Sequence, residues 1–230
     1  MSQSTLHDVA AFIFDWDGVL VDSGRIYYRA YERVLLEMGI SITPRKIYLR
    51  EGQPTPQVIR SLCAEHGIAI TDERVGELVK HRRQYDMAAG RRTFFPGVWE
   101  LMCRVRSAGC KLGMVTGSSR KSVELVLSRE QERCFDAVIT ADDVTRPKPD
   151  PQPFAMAAER MGVHPSTCIV VENAPFGVQS ARAAGCRVIA LCTTLDPEDL
   201  READWVVPDH QGLECLLSRA LNTRAAEVQP

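Results

Sequence analysis

The sequence predicts an α/β protein: a parallel sheet covered by helices on both faces, with a helical unit inserted after the first strand. Short, near-continuous apolar runs alternate with amphipathic segments along most of the chain, as in strands buried between crossover helices. The alternation lapses from Gly24 to about Arg92, where only helical patterns occur. The 230 residues, 45% of them hydrophobic, suffice for a sizeable core, as one large domain or two modest ones.

The first strand is "AAFIFD" (10–15). In "RIYYRAYERVLLEMG", Ile26, Tyr27, Ala30, Tyr31, Val34, Leu35 and Met38 recur at three- and four-residue spacing, which predicts a helix. "TPQVIRSLCAEHG" opens a second helix with Thr55 as its N-cap and Pro56 in its first turn. "TDERVGELVKHRRQYDMAA" gives a third, capped by Asp72, and "GRRTFFPG" returns the chain through the turn pair Pro96-Gly97. This insert reads as a lid: residues 23–93 form a helical cap, and residues 1–22 with 94–230 form the core. The remaining strands are "KLGMVT" (111–116), "DAVIT" (136–140), "CIVVE" (168–172), "RVIALC" (187–192) and "WVV" (205–207). Helices such as "GVWELMCRVRSAG", "SRKSVELVLSRE" and "PQPFAMAAERMG" connect them, with glycine C-caps. The tail "NTRAAEVQP" is expected to fray.

A net charge of −2 gives no footprint for nucleic acid, and no run approaches the roughly 18 apolar residues of a membrane span. The opening "MSQSTLHDVA" lacks the features of a signal peptide, so a cytoplasmic location is expected. The eight cysteines are dispersed without a C-x-x-C pair, which argues for reduced thiols and against zinc or a disulfide framework. The five histidines are scattered without metal spacing. Lys80, Arg82, Arg83, Arg91 and Arg92 make a charge run near the return linker that reads as a solvated face.

Chemistry gathers at four strand ends. In "FDWDGVLVDS", Asp15 closes a strand and Asp17 follows two residues on, so both can point the same way, with Trp16 packing behind them. "VTGSS" ends a strand in Thr116-Gly117-Ser118, a turn that can hold phosphate oxygens or simply cap the next helix through Ser118 or Ser119. "RPKPDP" sets Lys148 between two prolines, either as a solvated turn lysine or as an ammonium poised to neutralise a phosphoryl group. "VVENAP" ends a strand in Glu172-Asn173, a candidate metal site or a helix cap.

In this order and spacing the segments resemble the four motifs of the haloacid dehalogenase superfamily: D-x-D-G-V-L-x-D-S, strand-T-G-S, K-P-x-P and strand-E-N-x-P-x-G. The resemblance spans nearly the whole chain and implies a Rossmann-like core with a small α-helical cap. It implies Asp15 as nucleophile forming an aspartyl-phosphate, and Asp17 as general acid and base. Thr116, Gly117, Ser118 and Lys148 would bind the phosphoryl oxygens, and Mg²⁺ would be held by Asp15, Asp17, Glu172 and Asn173. Asp22 with Ser23 would shape the exit into the cap and cap its first helix.

Two departures place the chain within that resemblance. Relatives commonly carry E-D where Glu172-Asn173 stands, and Glu51 in the cap loop "YLREGQPTP" could restore the missing charge or remain a solvated carboxylate. This combination resembles a branch near the β-phosphoglucomutases that includes inorganic pyrophosphatases. The mutases' His and cap-loop Arg align with Tyr27 and Thr55, so water is favoured as the phosphoryl acceptor. The expectation is a Mg²⁺-dependent phosphohydrolase acting on a small phosphorylated metabolite or pyrophosphate, as a monomer or simple homo-oligomer. A phosphomutase is the first alternative, and a catalytically silent binding protein the second.

Overall fold

The structure, a computed structural model, describes residues 9–90 and 92–227. His7, Arg91 and the last three residues of the tail lie outside them. Among the described residues, β1 (Ala11–Asp15), β2 (Lys111–Val115), β3 (Ala137–Ile139), β4 (Cys168–Glu172), β5 (Arg187–Leu191) and β6 (Trp205–Val207) form one parallel sheet. Its order is β3-β2-β1-β4-β5-β6. Helices α1 (Gly24–Leu36), α2 (Pro44–Tyr48), α3 (Thr55–Glu65) and α4 (Asp72–Ala88) lie between β1 and β2, followed by α5 (Val98–Ser107). Then come α6 (Arg120–Glu124), α7 (Arg129–Glu132), α8 (Gln152–Met161), α9 (Pro175–Ala183) and α10 (His210–Glu227). No helix among the described residues is long and apolar enough to cross a membrane.

Each central strand divides its side chains between two apolar layers, which is why its sequence reads as one continuous run. Phe12, Phe14, Leu112, Met114, Ile169 and Val171 share a layer with Val98 and Val105 of α5 and Leu213 and Leu217 of α10. Ala11, Ile13, Val115, Val170 and Val188 share the other with Phe154 of α8 and Val178 of α9. Full burial of Phe12 and Phe14 contributes about 1.5–3 kcal/mol each. Trp16 continues the first layer, edge-on to Phe94. Asp15, one residue out of phase with Trp16, is thereby turned toward α8 and α9.

Helices α1–α4 enclose an apolar cluster of their own, built on Tyr31, Val34, Leu35, Ile47, Ile59, Leu62 and Leu78. The two strands of chain joining them to the sheet run side by side: the Asp22 N–H donates to the Thr93 carbonyl at 2.9 Å, and Val21 bridges Phe94.

Local expectations are corrected at the helix ends. Thr71, not Asp72, caps α4, its hydroxyl accepting from the Arg74 N–H, because Thr71 keeps the extended backbone of a cap and Asp72 is already helical. Pro54, not Thr55, occupies the N-cap position of α3, and the Thr55 hydroxyl bonds the Tyr31 hydroxyl instead. The chain expected to fray is helical as far as Glu227, carried by Leu213, Leu217 and Leu221 packing at four-residue intervals.

Candidate active site

The strand order reverses at β1, whose neighbours are β2 and β4, and such a switch leaves a crevice at the carboxyl ends of the strands. A cavity of about 420 Å³ occupies that position, between the sheet and the helical insert. Asp15, Asp17, Thr116, Gly117, Ser118, Lys148, Glu172 and Glu51 all line it, so the residues singled out in the sequence converge on one space. Asn173 is fully buried beside them.

Lys148 is the hub. Its Nζ donates to Asp15 Oδ1 at 2.5 Å and to Glu172 Oε1 at 2.6 Å, and lies 5.0 Å from the centre of the Phe154 ring. Burial opposes an ammonium charge here, but the Asp15 and Glu172 carboxylates outweigh it and hold the lysine above its ordinary value. Burial, then the Glu172 charge, pushes the Asp15 carboxyl well above the usual range despite Lys148. The other Glu172 oxygen accepts the N–H groups of Asn173 and Ala174 at 2.8 and 3.0 Å. Gly177 makes room for this, since a Cβ there would lie 1.7 Å from Glu172 Oε1. Glu172 thus anchors Lys148 through one oxygen and the α9 N-terminus through the other, and Oε1 keeps a further lone pair for the site. Ala174, not Asn173, caps α9.

Asp17 is clamped by two hydroxyls: Ser23 Oγ donates to Oδ1 at 2.7 Å and Ser118 Oγ to Oδ2 at 2.8 Å. Ser23 makes no side-chain cap to α1, and Asp22 is exposed, so the expected capping by this pair is replaced by a bond into the site. The Ser118 N–H donates to Thr116 Oγ1 at 2.9 Å, so both groups through which Ser118 was expected to bind substrate are engaged in shaping the loop. Ser119 caps α6. Gly18, at φ 77°, abuts Asn173: a Cβ would meet its Nδ2 at 2.2 Å.

Glu51 is buried and not solvated. Its Oε2 accepts from Asn173 Nδ2 at 3.2 Å, and the same amide nitrogen contacts Thr194 Oγ1 at 3.2 Å. Asn173 thus presents its amide nitrogen to both groups. Glu51 Oε1 and Asn173 Oδ1 are buried without a hydrogen-bond partner. Burial, then the Asp17, Asp15 and Glu172 charges, pushes Glu51 well above the carboxylate range. Among the described residues no three histidine, cysteine or carboxylate side chains form a ready-made metal cage. Two orphaned oxygens beside crowded carboxylates nevertheless fit a hard divalent cation that keeps part of its water shell.

One residue escaped the sequence reading. Arg82 of α4 does not sit on a solvated face: it lines the cavity, with its guanidinium 5.0 Å from the Tyr27 ring centre and 4.7 Å from that of Tyr31. Its Nη1 lies 3.5 Å from Thr55 Oγ1. A cation therefore does reach the part of the cap around Thr55, delivered by another helix. Arg92 lines the same cavity, Arg83 reaches its edge from an exposed position, and Lys80 is exposed. The signal available in sequence was the Tyr27–Tyr31 pair, an aromatic plate one turn apart on α1.

A family model for haloacid dehalogenase-like hydrolase matches residues 12–191. The chain is 32% identical over 198 residues to validoxylamine A 7'-phosphate phosphatase of Streptomyces hygroscopicus subsp. limoneus, covering 86% of this chain and 92% of that protein. It is 32% identical over 182 residues to fructose-1-phosphate phosphatase YqaB of Escherichia coli (strain K12), covering 76% and 93% respectively. A hydrolase structure from Pseudomonas syringae matches with a TM-score of 0.80 and 26% identity, over 91% of this chain and 98% of that one. β-Phosphoglucomutase from Clostridium difficile shares the fold, with a TM-score of 0.78 at 23% identity over 95% and 99% of the two chains.

Proposed function

The chain belongs to the haloacid dehalogenase-like hydrolases and is a phosphatase of that family; from this we propose that it hydrolyses phosphate monoesters of small metabolites, sugar phosphates foremost, through a phosphoryl group carried on Asp15. The observation that carries the reading is a buried Asp15 that lines the cavity and is fixed by Lys148, beside an Asp17 held by two hydroxyls.

Lys148 ties down Oδ1 of Asp15, which leaves Oδ2 to attack phosphorus opposite the leaving oxygen. Asp17, kept in position by Ser23 and Ser118, gives its proton to that oxygen as the ester bond breaks. It then takes a proton from the water that attacks the aspartyl-phosphate, releasing phosphate and restoring the Asp15 carboxylate. Lys148 and the Thr116 hydroxyl bind the phosphoryl oxygens onto which charge spreads. Asp15, the Asp17 backbone carbonyl and the Glu172-Asn173 turn, with Glu51 beside them, would hold Mg²⁺, which would supply the charge neutralisation that phosphate and clustered acids require.

The test is release of free phosphate in Mg²⁺ from fructose 1-phosphate, other hexose phosphates, phosphoglycolate and pyrophosphate. Release is expected. Interconversion of hexose phosphates without release would replace the hydrolase by a phosphomutase, a reading that Arg82 in the cap wall supports.

Metal binding has a readout of its own. Asp15 and Glu51 both have raised folded-state values, so each contributes stability only at low pH and loses it as pH rises through that value. In EDTA the thermal midpoint should therefore decline as pH climbs from about 4 toward neutrality. Mg²⁺ binds the deprotonated carboxylates, so the midpoint gained on adding it should widen over the same interval. A gain that is flat with pH, or absent, would remove these two acids from the metal site.

A further inference from the structure

The turn that follows Asp15 has nearly all of its backbone carbonyls occupied. That of Trp16 accepts the Leu20 and Val21 N–H groups at 3.0 and 2.9 Å, and that of Val21 accepts those of Gly18 and Ser23 at 2.9 and 3.0 Å. The Leu20 carbonyl accepts the Phe95 N–H at 3.0 Å. The next two are taken by side chains from the far end of the sequence. Thr193 Oγ1 donates to the Gly18 carbonyl at 2.6 Å, and His210 Nε2 lies 2.7 Å from that of Val19. A carbonyl only accepts, so Nε2 carries the proton. From Trp16 to Val21, only the Asp17 carbonyl meets no donor among the described residues.

Both side chains are themselves held. The Thr193 N–H donates to the Leu191 carbonyl at 2.9 Å, and Oγ1 of the adjacent Thr194 contacts Asn173 Nδ2 at 3.2 Å. His210 opens α10, whose first turn is capped by Asp209 accepting the Gly212 N–H at 2.8 Å. Its ring centre lies 4.2 Å from that of Phe95, the residue that holds Leu20. Neither Thr193 nor His210 lines the cavity, so both act on it through the turn. We propose that Thr193 and His210 are positioning residues of the metal site: by occupying the Gly18 and Val19 carbonyls, they fix the turn so that the Asp17 carbonyl alone is left to a divalent cation. This rests on the Mg²⁺-dependent reading and adds to it two residues outside the motifs. Without their donors, neighbouring carbonyls would compete for the ion and the turn would gain alternative conformations. Groups that orient a ligand from behind in this way set much of a site's affinity.

The test measures metal binding and so does not depend on turnover. Mn²⁺, a hard cation suited to the same carboxylate and carbonyl ligands, is titrated into the full chain and its free fraction followed by electron paramagnetic resonance. Thr193→Val and His210→Phe each remove the donor and keep most of the shape. In each, the dissociation constant should rise about three- to tenfold, the worth of one hydrogen bond. Thr193→Ser keeps the hydroxyl and should restore most of the affinity. In phosphate release, the Mg²⁺ concentration for half-maximal rate should rise by a similar factor, with a smaller change in kcat. Wild-type Mn²⁺ binding in both Thr193→Val and His210→Phe, whatever their thermal midpoints, would overturn the proposal. So would a loss in Thr193→Ser equal to that in Thr193→Val. A wild-type protein that binds no Mn²⁺ would overturn it together with the metal site. One that binds Mn²⁺ but releases no phosphate would cost the hydrolase reading alone, and the variants' dissociation constants still decide the roles of Thr193 and His210.

Discussion

Asp15→Asn is expected to lower phosphate release by at least ~10⁴-fold while leaving the folded protein intact, because the change removes the nucleophile and little else. An amide oxygen at Oδ1 can still accept from Lys148, so the Lys148–Glu172 arrangement survives. The amide nitrogen in place of Oδ2 has no lone pair free for attack. Stability should not suffer. The Asp15 carboxyl has a raised folded-state value, from burial and then Glu172, so at neutral pH its charge is a burden on the fold. A neutral amide carries no such burden, and the thermal midpoint should equal or exceed that of the wild type. Phosphate release assayed in Mg²⁺, with thermal unfolding alongside, checks both halves. Turnover within about tenfold of wild type would rule out Asp15 as the residue that carries the phosphoryl group.

The sequence made the floor of the site legible and hid its roof. Asp15, Thr116 and Glu172-Asn173 stand at or just past the ends of apolar strands, and a parallel sheet brings its strand ends to one edge. Lys148 could be read because the prolines around it stiffen its approach. Nothing local distinguishes Arg82: "KHRRQYD" is as charged as any solvated helix face. Its position follows from α4 packing on α1, whose rings receive the guanidinium, and a contact between helices that far apart in sequence leaves no periodic trace. Finer assignments slipped where one polar side chain had two partners to choose from. Ser23 and Thr55 read as helix caps, yet their hydroxyls bond Asp17 and Tyr31. In each case tertiary packing supplied a donor or acceptor that local sequence does not contain.

Lys148→Met should have the largest effect on stability. The methionine keeps much of the apolar stem against Phe154 but withdraws the ammonium from between two buried carboxylates. Breaking a buried ion pair from one side costs about 3–5 kcal/mol, which for a chain of this size lowers the thermal midpoint by roughly 6–20 °C. The deficit has a direction in pH. Without Lys148, nothing offsets the burial of Asp15 and the repulsion from Glu172, so the folded-state value of Asp15 rises further above that of the unfolded chain. Stability is then retained at low pH, where Asp15 holds a proton, and is lost as pH increases. The gap between variant and wild type should accordingly be small near pH 5 and widen toward pH 8; a gap of constant size would mean that the lysine acts by packing and not by charge. Activity separates the two roles again. Even at a pH where the variant is fully folded, kcat should fall by about 10²–10³-fold, because the ammonium that holds Asp15 is also the one that meets the charge developing on the phosphoryl oxygens.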